Sequence, residues 1–245
     1  MEVDEIKKAI EEVKARGPKR NFNQSIDLVI NLKDLDIKKT PVSSFHPLKH
    51  SFSKVKICCF CDEAVKVRAE KVFDYVISKG QLNLMGVNKK DSKKLANSYD
   101  YFVAQADLMA LVANKLGRYL GSRGKMPNPG AGCVFLPNAD LEAIKNRLQF
   151  LKRLQTKTDA NVKVCVGKED SKNEFLVENI KDMYDYILTI LPEGRNNVKN
   201  LLLKLTMGPV YKFGSGFKLN IDNKVVEEKT TKPKKVKEAK EEKNE

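Results

Sequence analysis

The sequence predicts an α/β protein. Strand-like and helix-like segments alternate through the middle of the chain, and the apolar residues switch repeatedly between a period of two and a period near 3.6. The chain has 245 residues, 41% of them hydrophobic, which is enough for one large core or two smaller ones.

The elements can be justified in order. Val3, Ile6, Ala9, Ile10 and Val13 share one face of residues 3–15 and acids occupy the first turn, so an amphipathic helix is expected, ended by Gly17 and Pro18. Ser25–Lys33 alternates, with Ile26, Leu28, Ile30 and Leu32 on one side and Asp27 and Asn31 on the other, the pattern of a half-buried strand. Residues 40–53, with Pro41, Pro47 and several Ser, give no clear element. The apolar run Val55–Cys61 predicts a central strand, and a helical pattern follows over Glu63–Ile77. A short polar helix is expected near Ser92–Asn97, a strand at Tyr101–Ala104 and a helix over Asp107–Leu120. Between Gly117 and Gly132, glycines alternate with Arg118, Arg123, Lys125, Pro127 and Pro129, and no regular element is expected there. A helix over Asp140–Leu154, a strand at Val162–Gly167 and a long helix over Lys172–Leu191 come next. Strands at Leu201–Thr206 and Val210–Leu219 close the globular part, and beyond Asn220 a Lys/Glu tail reads as a disordered or loosely helical extension.

The net charge is +14 and the sequence pI about 9.4. Residues 225–245 contribute +1, residues 54–137 contribute +7, and the rest of the chain contributes +6. The positive charge therefore sits on the fold rather than on the Lys-rich tail. It favours a polyanionic partner, because each cation placed against a phosphate releases condensed counterions. Nucleic acid is the leading candidate. A membrane surface fits poorly without a basic amphipathic helix rich in bulky aromatics. No apolar run is long enough to cross a bilayer, and MEVDEIKK is charged where a signal peptide needs an apolar stretch, so a cytoplasmic protein is expected.

Five Cys form no paired framework and read as reduced thiols. Cys58, Cys59 and Cys61 lie in an apolar strand, and Cys133 and Cys165 stand alone. All five read as core residues, with no second CxxC to complete a zinc site. His46 and His50 are separated by Pro47 and read as surface-loop residues. With these two His and no recognisable nucleophile, acid–base or triad catalysis lacks its parts, so no cofactor, metal or catalytic residue is expected.

Two segments invite a binding role. Gly121-Ser-Arg-Gly-Lys125 resembles a phosphate loop but fails its spacing: Tyr119 stands where the first Gly belongs, and Met126 where Ser or Thr would hold magnesium. It reads either as a glycine loop that approaches phosphate, with Arg118, Arg123 and Lys125 as charge partners, or as a plain turn. Lys204-Leu-Thr-Met-Gly-Pro209 interrupts an apolar strand and reads as a strand-end bulge. Its Thr206 hydroxyl, Met207 surface and Lys204 suit a ribose edge, where the 2′-hydroxyl both donates and accepts.

Together, Pro18-Lys-Arg-Asn-Phe-Asn-Gln-Ser25, Tyr101-Phe-Val-Ala-Gln-Ala-Asp-Leu108, Leu120-Gly-Ser-Arg-Gly-Lys-Met-Pro127 and Lys204-Leu-Thr-Met-Gly-Pro209 resemble the large-subunit ribosomal protein L1 family, in its archaeal form, over roughly Val3–Pro209. The resemblance implies two domains. The first is a discontinuous α+β sandwich holding both termini (residues 1–53 and 138–224), and the second is an inserted, Rossmann-like α/β domain (54–137), with a charged tail at 225–245. It implies a first domain that binds the stalk helices of large-subunit rRNA, near where deacylated tRNA leaves the exit site, in company with other ribosomal components. By the same analogy the protein's own mRNA is a further partner. The implied RNA-binding residues are Phe22, Gln24, Asn200, Lys204, Thr206, Met207 and Gly208, with Arg118, Arg123, Lys125 and Met126 on a basic edge of the second domain facing rRNA or tRNA. Asn200 stands where the family often has Ser, Asn23 replaces a Thr, and Ser122 replaces a Pro. Residues 45–54 lack the family's glycine-rich turn, and the loop 130–137 is longer.

Two other roles are compatible with a basic α/β chain. A nucleotide-using enzyme would need Ser or Thr after the loop lysine and a catalytic acid nearby, and the sequence supplies neither. A free-standing mRNA-binding repressor would share the RNA turn without entering ribosomes.

Overall fold

The computed structural model describes residues 2–36, 39–85, 89–156, 159–214 and 216–217. In chain order its regular elements are α1 (Val3–Arg16), β1 (Ser25–Leu32), β2 (Ser43–Pro47), β3 (Ile57–Cys61), α2 (Glu63–Val72), β4 (Tyr75–Ser78), α3 (Lys79–Met85), α4 (Lys89–Ser98), β5 (Tyr101–Gln105), α5 (Met109–Gly121), β6 (Val134–Phe135), α6 (Leu141–Phe150), β7 (Leu151–Gln155), β8 (Asn161–Lys168), α7 (Asn173–Ile190), β9 (Val198–Leu205), β10 (Tyr211–Lys212) and β11 (Gly216–Phe217). The expected alternation of strand and helix is present, and the chain is a mixed α/β protein. Among the described residues no helix is long and apolar enough to cross a membrane.

Strands from the two ends of the sequence form one antiparallel sheet in the order β11-β10-β9-β1-β8. Strict alternation in β1 sends Ile26, Leu28, Ile30 and Leu32 to one face, where α1 and α7 cover them with Ile6, Ile10, Val13, Ile180 and Met183. The other face carries Asp27, Val29 and Asn31, each half-buried, as an antiparallel sheet with one solvated side allows.

The middle of the chain forms a parallel sheet in the order β4-β3-β5-β6. Helices lie on both faces. Ile57, Cys59 and Cys61 join Val65, Ala69, Leu141 and Leu148 on the α2 and α6 side, while Cys58 and Phe60 join Leu82, Leu95, Val112 and Leu116 on the α3, α4 and α5 side. This double burial explains the unbroken apolar run of β3. It also places Cys58 and Cys61 in different layers, so the CxxC is a feature of the sequence alone. Cys58, Cys59, Cys61 and Cys133 are buried as expected, but Cys165 is half-exposed on the open face of the antiparallel sheet.

Several elements depart from the sequence reading. The helix expected to reach Ile77 stops at Val72, where the N–H of Phe73 closes on the carbonyl of Ala69. The Asp74 carboxylate then accepts from the N–H of Ile57 at 2.8 Å, which seats β4 beside β3. Phe73, Val76 and Ile77 mimic helical spacing, although Phe73 caps α2 and Val76 and Ile77 belong to a strand. The helix expected over 140–154 divides in the same way into α6 and β7, because Leu151–Gln155 pairs with β2. The segment 204–209 is a turn after β9 rather than a bulge, and register shifts occur instead at Ile26/Asp27 and Asn31/Leu32. The expectation for residues 225–245 falls outside the described residues.

His46 and His50 are not free loop residues. His46, in β2, stacks on Tyr186 at 3.9 Å, and its Nε2 lies 2.7 Å from Asp182 Oδ2. His50 stacks on Phe175 at 4.1 Å and lies 3.0 Å from Glu178. Between them Asn179, 2% exposed, accepts from the N–H of His50 and donates to the carbonyls of His50 and Val166. The β2 segment is thus fastened to α7. β7, its partner, places Leu151 in the core of the parallel sheet and Leu154 in that of the antiparallel sheet.

Asn179→Ala leaves three backbone groups without this partner and should cost about 2–3 kcal/mol. His46→Ala, which loses one stack and one partly exposed hydrogen bond, should cost about 1 kcal/mol. Urea unfolding would check the order, and equal losses would contradict it.

Candidate nucleic-acid interface

The turn after β9 is held by the beginning of β1. The N–H of Thr206 donates to the carbonyl of Ser25 at 3.0 Å and its hydroxyl donates to the same oxygen at 3.2 Å, which leaves the hydroxyl's lone pairs facing outward. Gly208 N–H closes on the carbonyl of Leu205 at 3.0 Å, and a Cβ at Gly208 would stand 3.1 Å from that of Leu205, so the turn is tight. Met207 and Phe22 are each 55% exposed, unusual for residues so apolar.

Gln24 is wholly buried. Its amide donates to the carbonyl of Pro18 at 2.7 Å and accepts from the N–H of Met207 at 3.3 Å, while its backbone carbonyl accepts from the N–H of Glu169. Asn23 bonds Asp170 in the same loop. Of the residues expected to contact RNA, Gln24 is therefore a brace inside the turn rather than part of its surface.

Behind this turn runs the face of the sheet that no described helix covers. The pairing register arranges it in three rows across β8, β1 and β9: Cys165, Asp27 and Lys204; Lys163, Val29 and Leu202; Asn161, Asn31 and Asn200. Asn200 and Lys204 thus lie on the same face, both half-buried. Burial pushes the Asp27 carboxyl above its ordinary value while Lys204 pulls it back. Burial likewise raises the Cys165 thiol, against a contact from Ser25.

The second set of expected residues lies on the parallel-sheet unit and is spent differently. Lys125 N–H bonds the carbonyl of Leu120 and Gly124 N–H that of Gly121, with Gly124 at φ 65°, which is the hydrogen-bond pattern of a glycine-terminated helix end. A Cβ at Gly124 would lie 2.6 Å from Arg153 Nη1, which donates to the Gly124 carbonyl. Lys125 Nζ donates to the carbonyls of Ala96 and Tyr99 at 3.1 and 2.6 Å, at the end of α4. Arg123 bonds Asn97 at 2.8 Å and the carbonyl of Tyr119 at 3.0 Å. The glycine loop is thus a helix terminus, whose carbonyls favour cations over phosphate. Arg118 is exposed, and Met126 packs against the core beneath.

The family model for the "Ribosomal protein L1p/L10e family" matches residues 6–209. The chain belongs to this family. It is 39% identical over 212 residues to the "Large ribosomal subunit protein uL1" of Nanoarchaeum equitans, covering 84% of this chain and 96% of the relative. The protein of the same name from Methanothermobacter thermautotrophicus is 39% identical over 211 residues, covering 84% and 97%. That of Pyrococcus abyssi is 37% identical over 213 residues, covering 84% and 94%. These relatives are archaeal, in agreement with the form the sequence motifs suggest. The family match closes at Pro209, directly after the Thr206–Gly208 turn, so the turn and its Gln24 brace lie within the shared region while β10 and β11 lie beyond it.

Signals that could have exposed the brace were present but ambiguous. Asn23 and Gln24 both stand between exposed Phe22 and the alternating strand, yet a sequence does not say which of two amides points inward. Gln24→Leu should cost about 2 kcal/mol by stranding the Pro18 carbonyl and the Met207 N–H, whereas Met207→Ala should stay within about 0.5 kcal/mol of wild type. Thermal or urea unfolding of both variants separates brace from surface.

Proposed function

We propose that this chain is a ribosomal protein of the large subunit that binds the stalk helices of large-subunit rRNA. The observation that carries the reading is the Thr206–Gly208 turn: a rigid backbone, an outward acceptor hydroxyl and two exposed apolar side chains, Met207 and Phe22, beside Lys204. Such a surface reads the shape and 2′-hydroxyls of RNA, and the net charge of +14 adds affinity that falls with salt. The match to an L1 family and the names of the archaeal relatives support the ribosomal setting. The family is one of structural proteins, and the reading includes no catalysis.

The antiparallel unit is taken as the rRNA-binding domain and the parallel unit, centred on residues 54–137, as an inserted one. Because α6 packs on the parallel sheet with Leu141 and Leu148, the return crossing in this proposal lies at β7 rather than at Pro137. The β2–β7 ribbon then connects the two. The reading extends to participation in exit-site tRNA release, with exposed Arg118 on the second unit's basic edge, and to repression of the protein's own mRNA through the same turn. Its location is the ribosome.

Binding of purified protein to a stalk rRNA fragment over a salt series tests the central claim. Thr206→Ala and Met207→Ala should each weaken binding by roughly three- to tenfold. Arg118→Ala and Arg123→Ala should leave fragment affinity nearly unchanged. If both turn variants bound like wild type, the site would be wrong. Sedimentation of extracts at physiological salt should place the protein with large subunits, and its absence there would favour a free-standing repressor.

A further inference from the structure

The face of the antiparallel sheet that no described helix covers contains a feature that the turn does not use. Asp27, Val29, Lys163, Cys165, Leu202 and Lys204 line a cradle of about 400 Å³, together with Val210. Val29, Leu202 and Val210 give it apolar surface, with Val210 41% exposed. Asp27 stands in the middle strand between Cys165 and Lys204, and the next row sets Lys163 opposite Val29. Among the described residues no hydrogen bond or ion pair within 4 Å engages the Asp27 carboxylate, although the carboxylate is half-buried. Its two oxygens accept and do not donate.

We infer that this cradle binds an unstacked guanine, with the Asp27 carboxylate reading the base. The inference rests on the RNA-binding reading and adds to it a base-specific site. A carboxylate calls for two parallel donors on an otherwise neutral, flat group. Guanine supplies them as N1–H and N2–H, with O6 alongside to accept from a lysine. Adenine and cytosine each offer one amino group next to a ring acceptor, and uracil offers one N–H between two carbonyls. An arginine side chain presents a similar fork, but the ammonium groups of Lys163 and Lys204 repel a cation and attract the phosphates that accompany a nucleotide. The cradle offers aliphatic rather than aromatic surface to the flat face of a base, as apolar side chains do for bases taken out of a stack, and it has the size of an ordinary ligand site. The raised carboxyl of Asp27 agrees with partial desolvation of an acceptor that awaits donors. The cradle adjoins the proposed turn, since Lys204 is separated from Thr206 by one residue.

The test uses the full chain and free mononucleotides at low salt, followed by backbone amide NMR, with Cys165 alkylation as a second readout. GMP should shift resonances of β1, β8 and β9, bind at least about fivefold more tightly than IMP, which lacks the N2 amine, or AMP, and slow alkylation of Cys165. Asp27→Asn, nearly isosteric, should keep the native spectrum and bind GMP no better than AMP. Equal binding of GMP, IMP and AMP, retention of the preference in Asp27→Asn, shifts elsewhere on the protein, or no GMP shift at about 10 mM would each overturn the site. Arginine amide in place of GMP should produce no such shift, and binding of arginine without GMP would assign the cradle to a protein partner instead. The stalk fragment serves as a separate arm. Fragment binding by wild type without guanine preference would remove this inference alone, whereas guanine preference without fragment binding would remove the proposed rRNA role and leave the cradle.

Discussion

Everything at the candidate interface depends on where β1 begins. Gln24 and Ser25 are the last residues before and the first within the central strand, and between them they hold segments far apart in sequence: Pro18, Glu169 and the Thr206–Met207 turn. Each backbone N–H of Thr206, Met207 and Gly208 has one partner, and those of Thr206 and Met207 are fixed in place because β1 is paired on both sides, to β8 and to β9. A one-residue slip of β1 would turn Ile26, Leu28 and Ile30 toward water and Asp27 into the core, which no packing could offset. The apolar register of one strand therefore fixes the geometry of a polar turn.

The cations divide into two populations with different physical roles. Lys125 and Arg123 have been drawn onto the carbonyl ends of α4 and α5, where they complete helix termini and are held by two acceptors each. A cation fixed in this way still contributes to the long-range field, but its position is set by the helix ends and only its remaining donors can reach a ligand. Lys163 and Lys204 stand on the open sheet face, where no ion pair within 4 Å among the described residues engages them. Their charge remains available to a phosphate. Formal charge counts the two populations alike, which is why the +7 of residues 54–137 overstates what that unit offers for direct contact.

The sequence was most legible where one period ruled an element. β1, with its strict alternation, and α1 and α7, with one apolar face each, stood near their expected positions because burial on a single side writes a simple pattern. It misled where a helix ran directly into a strand. Val72, Phe73, Val76 and Ile77 satisfy helical spacing, and the break between them is set by Asp74 reaching the N–H of Ile57, seventeen residues away. The site was legible by type and less so by role. Thr206, Met207, Gly208 and Phe22 are where a surface contact needs them, but the burial of Gln24 and the helix-end duty of Gly124 depend on partners that no local pattern announces. The histidines were misread for the same reason, since Tyr186, Asp182, Phe175 and Glu178 lie on an element more than a hundred residues further along the chain.

The two sheets differ in what they can present to a ligand. In the parallel sheet both faces are covered by helices, so its strands offer no side chains to solvent except at their ends, and binding there is confined to helix surfaces and loops. In the antiparallel sheet α1 and α7 occupy one face, and the other carries rows that mix polar and apolar side chains, all half-buried except exposed Lys163. A residue half-buried on a rigid sheet is already largely desolvated and held in place, so a ligand that meets it has less ordering and dehydration left to overcome than at a flexible loop. Asp27 combines that rigidity with a carboxylate that no hydrogen bond among the described residues engages, whereas Thr206 is exposed on a turn and owes its placement to Ser25. The proposed recognition thus falls on the unit in which no described element covers one sheet face.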